Sequence, residues 1–349
     1  MGSNRGAILA VLALACGCAQ DGAGERPATP DMAERAPVAT GLVPAPLYRD
    51  PVHDGAADPS ITYDPSAREW VMFYTNRRAN IALPDGDDVS WVHGTRIGIA
   101  RSADGANWRY AGTADIPLSC TGATHWAPDV QWFEGQWHMW LTVVPGVFRD
   151  WNAPRFITHV TSPDLKQWNC GERLELGSDR VIDASAIALP EGGYRLFFND
   201  ERQNKAILYA DSPNLTDWQV RGRLTETPGE GPKAFRWKGA WWLISDPWRG
   251  LLVMRSDDGV NWTRQEEHLL ADAGTAPTDR AKGQHPDVIV SGSRAYLVYF
   301  VHQGGEEQAA GDPTWHRRSV LQIAELHEQG GRLSVDREAP VELALVPPR

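Results

Sequence analysis

The chain has 349 residues, 42% hydrophobic and 23% charged, with a formal net charge of -11. That balance belongs to a folded globular protein and excludes wholesale disorder. An acidic chain without a Lys/Arg-rich run is a poor match for a polyanion, so no nucleic-acid partner is expected and a neutral or weakly charged small molecule fits better.

The chain opens on a targeting segment. Arg5 supplies a short basic start, and the apolar run Ala7–Ala15 is too short to span a bilayer. It ends in Ala15-Cys16-Gly17-Cys18, which resembles the lipobox of bacterial lipoproteins, with Cys16 or Cys18 as the lipidated residue. Residues 1–18 therefore read as a lipoprotein-type signal peptide, the other reading being an ordinary cleaved one. Either implies export. The first places the protein in the cell envelope, in the periplasm or on the outer surface, held to the membrane by an N-terminal lipid anchor; the second makes it secreted. Residues 19–45 are rich in Pro, Ala and Gly and read as a flexible linker to a domain over 46–349. In the body only Cys120 and Cys170 remain. Export permits a disulfide, and two unpaired buried thiols are the alternative.

A repeat follows. Ser102 to Trp108, Ser162 to Trp168, Ser212 to Trp218 and Ser256 to Trp262 share one pattern: a Ser, an Asp or Asn two residues on, and a Trp that opens the next strand. Short polar side chains at such a position bond their own backbone and close a tight turn. The spacing, roughly 45 to 60 residues, is that of propeller blades. Strand-like runs precede each turn: Ser60–Tyr63, Trp70–Thr75 and Arg96–Arg101; Val130–Phe133, Trp137–Thr142 and Phe156–Thr161; Ala184–Leu189, Tyr194–Asn199 and Ala206–Ala210; Lys233–Trp237, Ala240–Ser245 and Leu251–Arg255. A fifth unit lacks the turn but keeps Asp287–Val290, Ala295–Val301 and Ser319–Leu326. The expected fold is all-β, a five-bladed β-propeller whose ring closure protects the sheet edges. A β-sandwich would not require five similar units.

Something polar stands at the start of each unit's first strand: Ala57-Asp58-Pro59, Trp126-Ala127-Pro128-Asp129, Ile182-Asp183-Ala184, Glu230-Gly231-Pro232 and Gln284-His285-Pro286-Asp287. First strands line the channel of a propeller, so equivalent positions on different blades converge. A single carboxylate at a strand end usually serves a turn; the joint pattern points to a shared site.

These residues resemble glycoside hydrolase family 43 and its relatives over about residues 50–326. Trp126-Ala-Pro-Asp129 is the most specific piece and Glu230-Gly-Pro comes next; Ala57 stands where family members often carry Arg. The resemblance implies a five-bladed propeller and a glycosidase, arabinofuranosidase-, xylosidase- or galactosidase-like, acting on plant- or algal-type oligo- or polysaccharide. It implies Asp58 as general base, Glu230 as general acid and Asp129 as the residue that orients and tunes the acid, with an inverting mechanism. It implies no required cofactor and admits a structural calcium ion at the propeller axis, with His285 as its candidate ligand; a structural His is the alternative.

Trp126, Asp183, Arg77 and His285 are the candidate substrate-binding residues. Trp91, Trp126, Trp151 and Trp248 are candidate sugar platforms because open aromatic faces stack on sugar rings. Arg78 beside Arg77, and His302 at the matching end of the last unit, offer hydrogen bonds or cap a loop. Asp287 reads as structural. Two other functions are weighed: a related propeller enzyme acting on anhydro-sugars or by phosphorolysis, for which Arg77, Arg78 and Lys233 would have to make a phosphate pocket, and a non-catalytic carbohydrate-binding propeller.

Overall fold

A computed structural model describes residues 41–83, 85–303 and 311–347. The signal segment, both candidate lipidation cysteines and residues 19–40 of the expected linker lie outside them. Among the described residues twenty strands build five antiparallel sheets, each from four consecutive strands. Blade 1 holds β1 (Ala56–Asp64), β2 (Glu69–Asn76), β3 (Ile97–Ser102) and β4 (Arg109–Thr113). Blade 2 holds β5 (Thr124–Phe133), β6 (Gln136–Val144), β7 (Phe156–Ser162) and β8 (Asn169–Arg173). Blade 3 holds β9 (Val181–Ala188), β10 (Tyr194–Asp200), β11 (Ala206–Ser212) and β12 (Gln219–Thr225). Blade 4 holds β13 (Glu230–Trp237), β14 (Ala240–Asp246), β15 (Leu252–Ser256) and β16 (Thr263–Arg264). Blade 5 holds β17 (Gln284–Ser291), β18 (Arg294–His302), β19 (Ser319–Gln329) and β20 (Arg332–Val335). The protein is an all-β, five-bladed propeller.

The burial pattern explains the architecture. The second strand of each blade is covered on both faces, and β4 and β8 at the rim are largely exposed. Apolar side chains pack between blades: Val71 and Phe73 of β2 share one cluster with Met139 and Leu141 of β6. The repeated turns have the expected chemistry. Asp104 Oδ1 accepts the Ala106 and Asn107 amides at 2.9 and 2.8 Å, and Asp258 Oδ1 does the same for Val260 and Asn261 at 2.8 and 2.7 Å. Three of the tryptophans that follow these turns pack edge-on against the preceding blade: Trp168 on Phe73, Trp218 on Trp140 and Trp262 on Phe197. Each repeat thus supplies both a turn and an interblade contact.

Blade 5 takes backbone from the start of the domain: Tyr48 and Leu321 exchange amide bonds, and Ser319 N donates to Asp54 O. The chain is already paired at Val43, whose amide donates to Val341 O, inside the stretch expected to be linker. Cys120 and Cys170 form a disulfide joining the β4–β5 connection to β8, which decides between the two readings of that pair.

Candidate active site

The first strands begin earlier than the sequence suggested, and the polar motifs lie inside them. Each first strand breaks register with its neighbour at the motif, between Ala57 and Ser60, Trp126 and Asp129, Glu230 and Lys233, Gln284 and Asp287, and next to Ile182–Ser185 in blade 3. One residue per bulge has a left-handed backbone: Asp58 (φ 48°), Ala127 (42°), Asp183 (59°), Gly231 (55°) and His285 (37°). In four blades a proline follows it, tolerated because the bulge leaves that amide out of the ladder. Holding a residue with a Cβ in this region, before a proline, stores strain of the kind found at functional sites.

Neighbouring blades hold the bulges in place. Thr75 Oγ1 accepts the Ala127 amide at 2.7 Å, Thr142 Oγ1 accepts Asp183 N at 2.9 Å, and Asp183 Oδ2 accepts Gly231 N at 3.0 Å. The bulges therefore define a common register. Asp58, Asp183 and His285 occupy equivalent places, and Glu230 stands one residue earlier. Asp129 and Asp287 stand two residues later, deeper in the channel, level with Ser60, Ser185 and Lys233.

This separates the predicted carboxylates into two groups. The upper group lines a cavity of about 400 Å³ with Asp58, Arg77, Asp183, Glu230, His285 and His302 in its wall. All four candidate sugar platforms, Trp91, Trp126, Trp151 and Trp248, face the same cavity. Trp126 is fixed by its indole N–H donating to Val92 O at 2.7 Å, and Trp151 is half-exposed beside it. The Arg77 guanidinium is held by Ser319 Oγ at 2.8 Å and by the Phe300 and Trp91 rings. Arg78 does not line the cavity; it donates to Ser90 O at 2.6 Å.

Asp129 belongs to the lower group and does not line that cavity. Its Oδ1 lies 2.7 Å from Lys233 Nζ, and its Oδ2 accepts Ala186 N at 3.0 Å. Lys233 Nζ also meets Asp287 Oδ1 at 2.8 Å, and Asp287 Oδ2 accepts Ile61 N at 2.7 Å. These five partners come one from each blade. Asp129 thus stands outside the cavity that holds Asp58 and Glu230, where the tuning role expected of it would place it, and shares the Lys233 ammonium with Asp287.

Electrostatically the upper group is only partly compensated, by the nearby charges of Arg77 and Lys205. Burial, then the charges of Asp246, Asp58 and others, push the Glu230 carboxyl up to about 8. Burial, Glu230 and Asp58 push Asp183 well above the usual carboxylate range. Asp246, at the end of β14, is raised by burial to about 6. Burial pushes the His285 imidazole down, so it is neutral at pH 7, with Nδ1 3.2 Å from Asp58 Oδ1.

A calcium ion at the axis does not fit these residues. Among the described residues no three His, Cys, Asp or Glu side chains converge as ligands. His285 has one carboxylate neighbour and feels the positive charges of Lys233 and Arg77. The two carboxylates deeper in the channel already hold the Lys233 ammonium. Nor do Arg77, Arg78 and Lys233 meet as a phosphate pocket, since only Arg77 faces the cavity.

Sequence reasoning missed Arg155, Glu201 and Lys205 in the cavity wall and Asp246 behind Glu230. They share a signal with Arg77, Trp248 and His302: each lies at the end of a blade's second strand or in the loop that follows.

No family model matches the chain, and no curated protein matches its sequence. Solved structures resemble its fold. The β-xylosidase/α-arabinofuranosidase of glycoside hydrolase family 43 from a compost microbial metagenome, in complex with xylotriose, superposes with a TM-score of 0.62 at 13% identity, over 84% of this chain and 98% of that one. An α-L-arabinofuranosidase from Lactobacillus brevis gives 0.60 at 15% identity, over 84% and 97%. An α-L-arabinanase variant from Cellvibrio cellulosa gives 0.58 at 17% identity, over 81% and 95%.

Proposed function

We propose that this propeller is a glycoside hydrolase in which Glu230 is the general acid, Asp58 the general base and Asp183 the residue that orients and tunes the acid. The observation that carries the reading is the meeting of these three carboxyls, from three blades, in one tryptophan-lined cavity where Glu230 keeps its proton at neutral pH. Cleaving a glycosidic bond requires a carboxylic acid to protonate the leaving oxygen and a carboxylate to take a proton from the attacking water. The two need environments that push them apart in acidity. Asp183 serves Glu230 twice: repulsion between the two buried carboxyls opposes their ionising together, and its Oδ2 accepts the amide of the next residue, Gly231. His285 Nδ1 stands 3.2 Å from Asp58 Oδ1, beside the base. The tryptophans stack the sugar, and Arg77 donates to its hydroxyls.

The similarity of fold to family 43 xylosidases and arabinofuranosidases supports a pentose at the non-reducing end as substrate, and an inverting course. A non-catalytic propeller has no use for strained, mutually repelling carboxyls at its binding site. Export to the cell envelope by a lipid anchor on Cys16 or Cys18 is part of the same reading and would bring the site to extracellular polysaccharide.

The test is hydrolysis of aryl arabinofuranoside, xyloside, galactoside and uronide, then of the unactivated disaccharide of the sugar cleaved, by wild type and Glu230→Gln. One sugar should be cleaved, and the variant should lose about 10³-fold or more in kcat on the disaccharide. Cleavage of none of the four, or an undiminished variant, would overturn the reading.

A further inference from the structure

The loops after β10 and β14 meet over the acid. Asn204 and Lys205 have left-handed backbones, at φ 57° and 55°, and so does Trp248, at 59°. Each costs about 1 kcal/mol or more for a residue with a Cβ, and three of them flank one carboxyl. Backbone bonds pin the arrangement. Lys205 O accepts the amide of Gly229, the residue before Glu230, at 2.8 Å, and Asn199 Nδ2 at 3.1 Å. Trp248 N donates to Asp246 Oδ1 at 2.6 Å, and the Lys282 ammonium bonds Trp248 O. Held in this way, Lys205 Nζ lies 4.8 Å from the centroid of the Trp248 ring, and both residues line the cavity wall with Glu230. Lys205 is also 3.5 Å from Glu201 Oε1, whose other oxygen is taken by Arg155.

We propose that Lys205 is the positioning residue of the general acid: its ammonium clamps the face of Trp248, its carbonyl holds the amide before Glu230, and together they fix the wall in which the Glu230 carboxyl stands. The inference rests on the reading of Glu230 as the acid. A cation over an indole face is attracted by the ring, which holds the ring in place. Lys205 also acts through space. Glu230 is faced by Asp246 at the end of β14, Asp58 on β1, Asp183 on β9 and Arg77 after β2, with the neutral His285 of β17 packed against Gly231. Among these the Lys205 charge opposes the carboxyls and pulls Glu230 down. Without it the acid holds its proton to higher pH.

The experiment measures kcat and KM against pH on the unactivated disaccharide for the full chain and for Lys205→Met, Lys205→Gln and Lys205→Arg, with Glu230→Gln alongside. Lys205→Met and Lys205→Gln should lose about tenfold in kcat, keep KM within about threefold, and move the alkaline limb of kcat up by about one pH unit. Lys205→Arg should restore the limb. The Lys205 side chain is 47% exposed, so the variants should melt within about 3 °C of wild type. A wild-type limb and kcat in both neutral variants, with Glu230→Gln inactive, would overturn the clamp. Activity surviving in Glu230→Gln would instead overturn the acid assignment, and the clamp with it.

Discussion

The channel of this propeller carries acidic groups at two depths along the first strands, the upper ones on blades 1, 3 and 4 and the lower ones on blades 2 and 5. At the mouth, Asp58, Asp183 and Glu230 face one another around a cavity, and repulsion and burial raise two of them. Deeper in, Asp129 and Asp287 share one ammonium, that of Lys233, and their remaining oxygens accept backbone amides from two further blades. The residue types are the same, and the difference is compensation. An ammonium between two carboxylates, with each carboxylate oxygen engaged, holds five blades together, whereas carboxyls without an ion-pair partner store repulsion that protonation relieves, which is what acid–base chemistry needs.

That contrast can be broken from either side. The largest effect should come from the deeper group. Lys233→Met leaves two buried carboxylates facing each other and should destabilise the fold by about 3–5 kcal/mol, read as a lower denaturation midpoint in urea. Lys233→Met combined with Asp129→Asn and Asp287→Asn should recover part of the loss. A single variant as stable as wild type would deny the deeper group its structural role.

Asp183→Asn keeps an acceptor for Gly231 but removes a buried carboxyl that repels the acid when both ionise. The sign follows from Glu230's raised value of about 8. With less repulsion the acid loses its proton at lower pH, so the alkaline limb of kcat should move down, opposite to the Lys205 variants, with a loss of about tenfold or more at neutral pH. The same substitution at Asp129 should leave the limb in place.

The smallest effect expected is none. With Lys233 supplying the cation at the axis, EDTA and added calcium should each leave the melting temperature unchanged. A rise with calcium would show that a metal competes for carboxylates the ammonium now holds.

Much of the fold was legible in the chain. The Ser-to-Trp turns announced four blades because Asp or Asn at the third position bonds its own backbone whatever surrounds it, and the tryptophans do pack on the preceding blade. The site was half legible. Asp58, Asp183, Glu230, Arg77, His285 and four tryptophans meet in one cavity, as expected of residues at first-strand starts and in loops. Asp129 lies outside that cavity, a difference the motifs hide because an acid before a proline and an acid after one look alike. Aligning the prolines, Pro59, Pro128, Pro232 and Pro286, would have placed it two residues deeper. Lys205 and Asp246 gave no motif at all, since their part depends on which loop of the next blade lies above them.

The sequence by itself determined the repeat, the strand-and-turn order and the presence of acids on the first strands, because turn chemistry and alternating burial act over a few neighbouring residues. Only the tertiary structure decided which acids are compensated. Charge interactions fall off with distance and depend on burial, and the partners that matter here, Lys233 for Asp129 and Asp183 for Glu230, lie on different blades, 104 residues apart in the first case.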